Sequence, residues 1–432
     1  KNKMNTNIPK TSQKRVVVIG AGFAGLKVAS TLIDSDLQVV MIDKENYHQF
    51  QPLIYQVATS GLEPSAIAFP VRKNFQRAAN FYFRLAKFES VEVDKKQIVT
   101  SIGVIQYDYL VLATGTTTNY YGLQNVERAA LPMKSVGEAI TLRNHILQTL
   151  EKAVLDPQDE SLRTIVIVGG GATGVEIAGA LADMRRYVIK KDYPELRELP
   201  IRIVLAEASP KVLGVMHERS SSGALKTLLA MGVEVKTNCA VADYVDSKVV
   251  MRDGTQIATQ TLIWVSGVTV EPIAGLDASL YARGGRIKVD GYNQVEGADS
   301  IFVAGDAALQ SEGMYSAGHP QVAPVAIGQG QSVARNIIRH ARGEQMVAFA
   351  YKSRGSMATI GRGQAVVDMG DWHWAGFAAW ITWLGVHLLS ILGTRNKIQT
   401  TFNWFWNYIT FDQSLRLIIR PTTNKKKEAS EN

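Results

Sequence analysis

The run Arg15-Val-Val-Val-Ile-Gly20 carries no polar position between its ends, as expected of a strand buried on both faces in a parallel sheet. A helical pattern from about Gly22 to Ile33 follows, then a second apolar run, Gln38-Val-Val-Met-Ile-Asp43. Strand, helix and strand in that order predict a right-handed βαβ unit. The order returns with Thr164-Ile-Val-Ile-Val-Gly169 as strand, Thr173 to about Lys190 as helix and Arg202-Ile-Val-Leu-Ala-Glu207 as strand. The predicted fold class is α/β. Gly20 and Gly169 are 149 residues apart, so the two units predict two Rossmann-type domains.

The pattern changes near the C-terminus. Gly376 to Gly393 is 18 residues without a formal charge, just long enough for a membrane span but diluted by Thr382, Gly385, His387 and Ser390. Beyond it Asn403, Asn407, Thr410 and Ser414 recur at four, three and four residues, with Phe402, Phe405, Trp406 and Ile409 largely off that polar stripe. Arg395, Lys397, Arg416, Arg420 and Lys425 to Lys427 lie close by. The combination predicts a helix lying in a membrane interface, with Arg416, Arg420 and Lys425 to Lys427 each adding roughly 1 kcal/mol near an anionic leaflet. A buried helical pair or a dimer interface is the plainer alternative.

A hydrophobic share of 46% with 20% charged residues describes a packed globular protein, and 432 residues allow two or three domains. The net charge of +8 favours an anionic partner. With the tail in view, lipid accounts for it better than nucleic acid. Cys239 is the one cysteine, which excludes an internal disulfide and a redox-active cysteine pair. It sits in a strand-like segment and reads as core. Lys1 to Lys14 is polar and basic without an apolar h-region, unlike a secretory signal. No metal site is expected.

Candidate chemistry gathers at the two strand–helix junctions. Gly20-Ala21-Gly22-Phe23-Ala24-Gly25 offers one glycine for the tight turn, one for approach of a pyrophosphate and one for helix–strand packing. The phosphates then meet the helix N-terminus. Asp43, 23 residues after Gly20, ends the next strand where a carboxylate can accept from a ribose diol. Gly169-Gly170-Gly171-Ala172-Thr173-Gly174 repeats the spacing, and its acid is Glu207, 38 residues after Gly169. A charged insertion from Lys190 to Pro200 accounts for the excess over the usual ~20 residues. A carboxylate at Glu207 repels a 2′-phosphate and Arg202 lies five residues earlier, so NADH is expected over NADPH.

Two further segments assign the nucleotides. Tyr109-Leu-Val-Leu-Ala-Thr-Gly115 and Ser300-Ile-Phe-Val-Ala-Gly-Asp306 resemble the crossover and second FAD motifs of two-dinucleotide flavoproteins. That resemblance implies a discontinuous FAD domain, 14–130 and 271–345, with an NADH domain, 131–270, inserted in it. Residues 346–432 are expected to form a C-terminal membrane-associating region. Pro52-Leu-Ile-Tyr-Gln-Val-Ala-Thr-Ser-Gly61, Gly169-Gly-Gly-Ala-Thr-Gly-Val-Glu-Ile-Ala-Gly179 and Gly355-Ser-Met-Ala-Thr-Ile-Gly-Arg362 are similar to the type II NADH:quinone oxidoreductases. These are single-subunit, non-pumping NADH dehydrogenases, and the similarity runs from about Lys14 to Arg420.

The resemblance implies a site residue by residue. FAD is expected on Gly20, Gly22, Phe23, Ala24, Gly25, Asp43, Lys44, Ala113, Thr114, Gly115, Gly305, Asp306, Ala323, Pro324 and Val325. NADH is expected on Gly169, Gly171, Ala172, Thr173, Gly174, Glu176, Glu207 and Gly267. Glu176, on the first turn of its helix, is expected near the nicotinamide and flavin rings as a catalytic, proton-handling group. The family's quinone segment, Ala-Gln-x-Ala-x-Gln, reads Ala323-Pro324-Val325-Ala326-Ile327-Gly328 here, without either glutamine. Gln321, Ala326, Gln329 and His387 are the remaining quinone candidates. Tyr47, His48 and His319 are assigned no role. The expected reaction is two-electron transfer from NADH through FAD to a membrane quinone, without proton pumping. The expected setting is a peripheral, monotopic homodimer on an anionic lipid surface, at the cytoplasmic face of the cell membrane. The alternatives are a soluble NADH-dependent reductase of a small electron-transfer protein and a redox-sensing NADH-binding flavoprotein.

Overall fold

A computed structural model describes residues 6–412 and 415–419. Ser414, Arg420 and Lys425 to Lys427 lie outside the described residues. The chain divides into two compact units. The first holds Lys1–Gln49, Ala68–Asn119 and Gly267–Arg354; the second holds Phe50–Ile67, Tyr120–Ser266 and Gly355–Asn432. The helices that bear on function are α1 (Phe23–Leu32), α2 (Ala172–Met184), α3 (Ala323–Ala341), α4 (Phe377–Ser390) and α5 (Thr394–Thr410).

In the first unit a six-stranded sheet runs in the order Gln294–Val295, Ala298–Val303, Tyr109–Leu112, Arg15–Ile19, Gln38–Asp43, Phe81–Leu85. All neighbours are parallel except the edge hairpin Gln294–Val295. The chain order reverses at Arg15–Ile19, which opens a crevice at the carboxyl ends of the strands. Val17, Ile19, Val40, Ile42, Leu110 and Ile301 are buried in one core cluster, each contributing about 1.5–3 kcal/mol of transfer free energy. Helices α1 and α3 lie so close that a Cβ at Gly330 would stand 2.5 Å from the Ala24 carbonyl oxygen.

The second unit repeats the plan with five parallel strands, Leu131–Pro132, Thr261–Trp264, Thr164–Val168, Arg202–Ala206 and Glu234–Lys236. Thr164–Val168 is again central. The helix expected to reach Lys190 is α-helical to Met184 and continues as a π turn over Arg185–Ile189. There the Arg185 guanidinium donates to the carbonyls of Ile201, Met231 and Gly232, which ties the helix end to the sheet. Cys239 lies in the connection after Glu234–Lys236 instead of in a strand, partly buried against the core.

Of the C-terminal residues, 346–354 fall in the first unit, and the described residues from Gly355 onward fall in the second together with Phe50–Ile67. Within Gly376 to Gly393 the helix is confined to α4, with Gly376 (φ 83°) preceding it and Gly393 (φ 80°) separating it from α5. At 14 residues α4 is roughly 21 Å long, short of the ~30 Å hydrocarbon core. Among the described residues, no helix is long and apolar enough to cross a membrane.

Helix α5 turns its polar stripe inward. Asn396 and Thr400 are buried, and Asn407 donates to the Gly61 carbonyl at 3.0 Å. Ile398, Phe402, Phe405, Trp406 and Ile409 are exposed. Two of the basic residues near this helix, Arg416 among those assigned to lipid, are otherwise engaged. Arg416 pairs with Asp192 at 2.8 Å and Asp412 at 2.9 Å, and Lys397 donates to the Leu389 carbonyl at the end of α4.

Candidate functional site

The strand Arg15–Ile19 delivers the chain into a turn that only glycine fits. Gly20 has φ 102°, and a Cβ there would meet the Ala113 carbonyl oxygen at 2.2 Å. A Cβ at Gly25 would lie 1.9 Å from the Gly20 carbonyl oxygen, so α1 packs directly on the turn. Gly22 is different. It is the N-cap of α1, without a side-chain cap, and a Cβ would meet nothing within 4 Å. The open space lies before uncapped backbone N–H groups, which fits a pyrophosphate.

Asp43 braces the turn from the neighbouring strand. Its Oδ2 accepts from the Ala21 N–H at 2.5 Å and its Oδ1 from the Glu45 N–H at 2.8 Å. Burial raises its pKa, against the lowering effect of these bonds and of Lys44. Carboxylate lone pairs remain for a diol. His48, given no role from sequence, is buried, bonds the Ala21 carbonyl through Nδ1 at 2.9 Å and meets Phe23 edge-on at 5.1 Å. Burial lowers its pKa, so it is a neutral strut of the loop. No sequence motif announces it.

The second FAD segment closes on the same place. Gly305 (φ 77°) lies against Ala24 and Ala326, which would be 3.2 and 3.3 Å from a Cβ. Asp306 accepts from Thr116 at 3.4 Å, and its carbonyl accepts from Gln321 at 3.0 Å. Ala323, Pro324 and Val325 form the first turn of α3. Gln329, a quinone candidate from sequence, is fully buried, accepts from the Gly305 N–H at 2.8 Å and donates to Gln310 at 3.1 Å. Its carboxamide holds the Gly305 turn. Ala326 is likewise buried under that turn.

The second unit repeats the device. Gly169 has φ 114°, and a Cβ at Gly174 would stand 1.7 Å from the Gly169 carbonyl oxygen. Gly171 caps α2 with nothing within 4 Å of a Cβ, and Ala172 and Thr173 are exposed beside it. Glu207 accepts from the Gly170 N–H at 2.5 Å and from the Ser209 N–H at 2.7 Å. Arg202 is bound through two nitrogens to Glu234, at 2.8 and 2.9 Å, and is not free for a 2′-phosphate. Gly267 (φ 90°) belongs to the first unit, where the chain returns from the second.

The chain matches the model of the pyridine nucleotide-disulphide oxidoreductase family over residues 14–330. It is 34% identical to the type II NADH:quinone oxidoreductase NdhA of Mycobacterium tuberculosis, over 90% of this chain and 86% of that protein. An internal alternative NAD(P)H-ubiquinone oxidoreductase of Arabidopsis thaliana mitochondria is 29% identical over 91% of this chain and 84% of its own length. The chain is a type II NADH:quinone oxidoreductase by family. Among solved structures, the Plasmodium falciparum NDH2 in complex with NADH superposes with a TM-score of 0.86 at 19% identity, over 94% of this chain and all of that one. The sulfide:quinone oxidoreductase of Aquifex aeolicus superposes at 0.70 with 18% identity, over 97% and 95%. Both likenesses are of fold.

In this family member Glu176 lies one position beyond the first turn of α2 and is buried. Burial pushes its pKa up to about 8, offset in part by a hydrogen bond from the Thr359 backbone and by nearby Trp383. Among the described residues the Trp383 indole N–H itself has no partner at hydrogen-bond geometry. Tyr55, also buried, lies near enough that Glu176 raises its pKa further after burial has done so. Around this carboxyl the second unit gathers an aromatic cluster that sequence reading missed apart from His387. Trp383 stacks on His387 at 4.1 Å and meets Tyr55 at 6.4 Å, and Phe50 meets His387 edge-on at 6.1 Å. Burial lowers the His387 pKa to about 4, against its bond to the Trp383 carbonyl at 2.7 Å.

Proposed function

We propose that the chain moves two electrons from NADH through FAD to a membrane quinone, and pumps no protons. The observation that carries this reading is the pair of open glycine turns, each braced by an acid, Asp43 and Glu207. Bound FAD supplies the two-electron exchange, and the protein aligns the reacting rings. In the first unit the α1 N-terminus at Gly22 takes the pyrophosphate, Asp43 the ribose diol and Asp306 the ribitol. Phe23, Lys44, Ala113 to Gly115 and Ala323 to Val325 line the same nucleotide.

In the second unit Gly171, Ala172 and Thr173 take the NADH pyrophosphate and Glu207 its ribose. NADH is preferred over NADPH, because Glu207 repels a 2′-phosphate and Arg202 is held by Glu234. Glu176 carries a proton at neutral pH, since burial holds its pKa at about 8, and acts as the proton-handling group. The carbonyl of Trp383 can only accept, so Nδ1 of His387 bears the hydrogen and Nε2 is a lone-pair acceptor, suited to a hydroquinone O–H. In the first unit, Gln321 is kept as a separate quinone candidate.

Helices α4 and α5 present Phe377, Ile381, Leu389, Ile398, Phe405 and Ile409 to the surroundings. An apolar face of that kind suits the lipid interface; the same reading has the enzyme peripheral there, as a homodimer on the cytoplasmic face of the cell membrane. It favours a membrane quinone over a small soluble acceptor. Purified protein should be yellow, bleach on adding NADH and regain colour with a short-chain quinone but not with ferredoxin. Failure of every quinone to reoxidise it would overturn the reading.

A further inference from the structure

Within the second unit, the loop after the short helix Ile54–Ala58 and helix α5 line a half-open hollow of about 240 Å³. Most polar groups of this seam are satisfied. Asn407 donates to the Gly61 carbonyl at 3.0 Å, Trp404 to Gln56 at 2.7 Å, and Gln399 to Glu63. Two groups that line the cavity are not. Among the described residues, the Ser60 hydroxyl and the Asn403 amide nitrogen are both buried without a partner. Ser60 also sits at φ 61°, a left-handed conformation uncommon for serine. Buried unpaired polar groups are unfavourable, so a ligand that bonds both removes that penalty.

The lining sets the ligand's chemistry. Asn403 Nδ2 needs an acceptor, and the Ser60 hydroxyl takes either role. Glu63 is part of the wall, so an anionic head is repelled. The other flank is apolar: Phe402 and Trp406 line the cavity while 61% and 47% exposed, continuous with the outward face of α5. The volume is below the ~300 Å³ at which drug-sized pockets begin, so it takes a head group and leaves a chain outside.

We propose that this cavity binds the head of a neutral single-chain amphiphile of the monoacylglycerol type, its acyl chain lying along Phe402 and Trp406. The proposal rests on the lipid-facing reading of α4 and α5. The probes are a monoacylglycerol and the corresponding free fatty acid, both brominated on the chain, added to the FAD-loaded enzyme at pH 8 while tryptophan fluorescence is followed. The monoacylglycerol should quench saturably, and Trp406→Phe should remove most of the quenched signal. Ser60→Gly, which suits the left-handed backbone, and Asn403→Leu should each weaken binding about tenfold with FAD content unchanged. Equal quenching by the fatty acid anion, displacement by a short-chain quinone, or indifference to both substitutions would overturn the site. Vesicle sedimentation of the same samples separates the two readings: binding of vesicles with no saturable quenching sinks the cavity alone, and absence of vesicle binding sinks the lipid-facing surface.

Discussion

A methyl group added at Gly25 would collide with the backbone of Gly20, whereas one added at Gly22 would meet no protein atom. The two glycines therefore answer to different partners. Gly25→Ala should lower stability by about 1–3 kcal/mol or more through overpacking, read as a fall in the melting temperature of the FAD-free protein. Gly22→Ala should leave that temperature nearly unchanged and weaken FAD retention at least tenfold. Equal effects on both readouts would refute the distinction. Glu176 makes a pH prediction at the same scale. Between about pH 4.5 and 8 the folded chain holds its proton while the unfolded chain has lost it. Stability therefore falls as pH rises through that window, by about 1 kcal/mol per unit. Glu176→Gln should remove that slope in denaturant titrations, and an unchanged slope would show that another group is responsible.

At the scale of an element, α5 reverses what its amphipathic pattern says about a soluble helix. Asn396, Thr400 and Asn407 face the rest of the second unit, while Phe402, Phe405 and Trp406 face outward. Phe405→Glu with Ile409→Glu should reduce sedimentation with anionic vesicles at least tenfold while shifting stability by no more than about 0.5 kcal/mol, since both residues are exposed. Removing everything after Met369 would be a poorer test. It would strip Trp372–Ala375 from its sheet and Trp383 from beside Glu176. The hairpin before α4 is itself tied down: Asp368 accepts from the His217 N–H at 2.8 Å, from Ser220 at 2.5 Å and bonds His373 at 2.9 Å.

For the whole molecule, each glycine turn lies in its own compact unit, so the two nucleotide functions should be separable. Gly171→Val should give a yellow protein that dithionite bleaches and NADH does not; loss of FAD from this variant would contradict the assignment. Much of this organisation was legible from the chain. Strands buried on both faces are continuous apolar runs, so Arg15–Ile19, Gln38–Asp43, Thr164–Val168 and Arg202–Ala206 declare themselves, as do glycines that turn a strand into a helix. Asp43 and Glu207 were legible because their place at a strand end follows from local order. The surroundings of Glu176 were not: Tyr55, Thr359 and Trp383 come from segments more than a hundred residues away, and no local pattern encodes such a meeting. The engagement of Gln329 with Gly305 was hidden for the same reason, and so was the capture of Arg416 by Asp192. Periodicity reports which face of an element is apolar, and sequence alone therefore determined the two nucleotide folds and their turns. Whether a polar atom finds a partner depends on packing between distant segments, so only the tertiary structure decided which side chains remain free for chemistry.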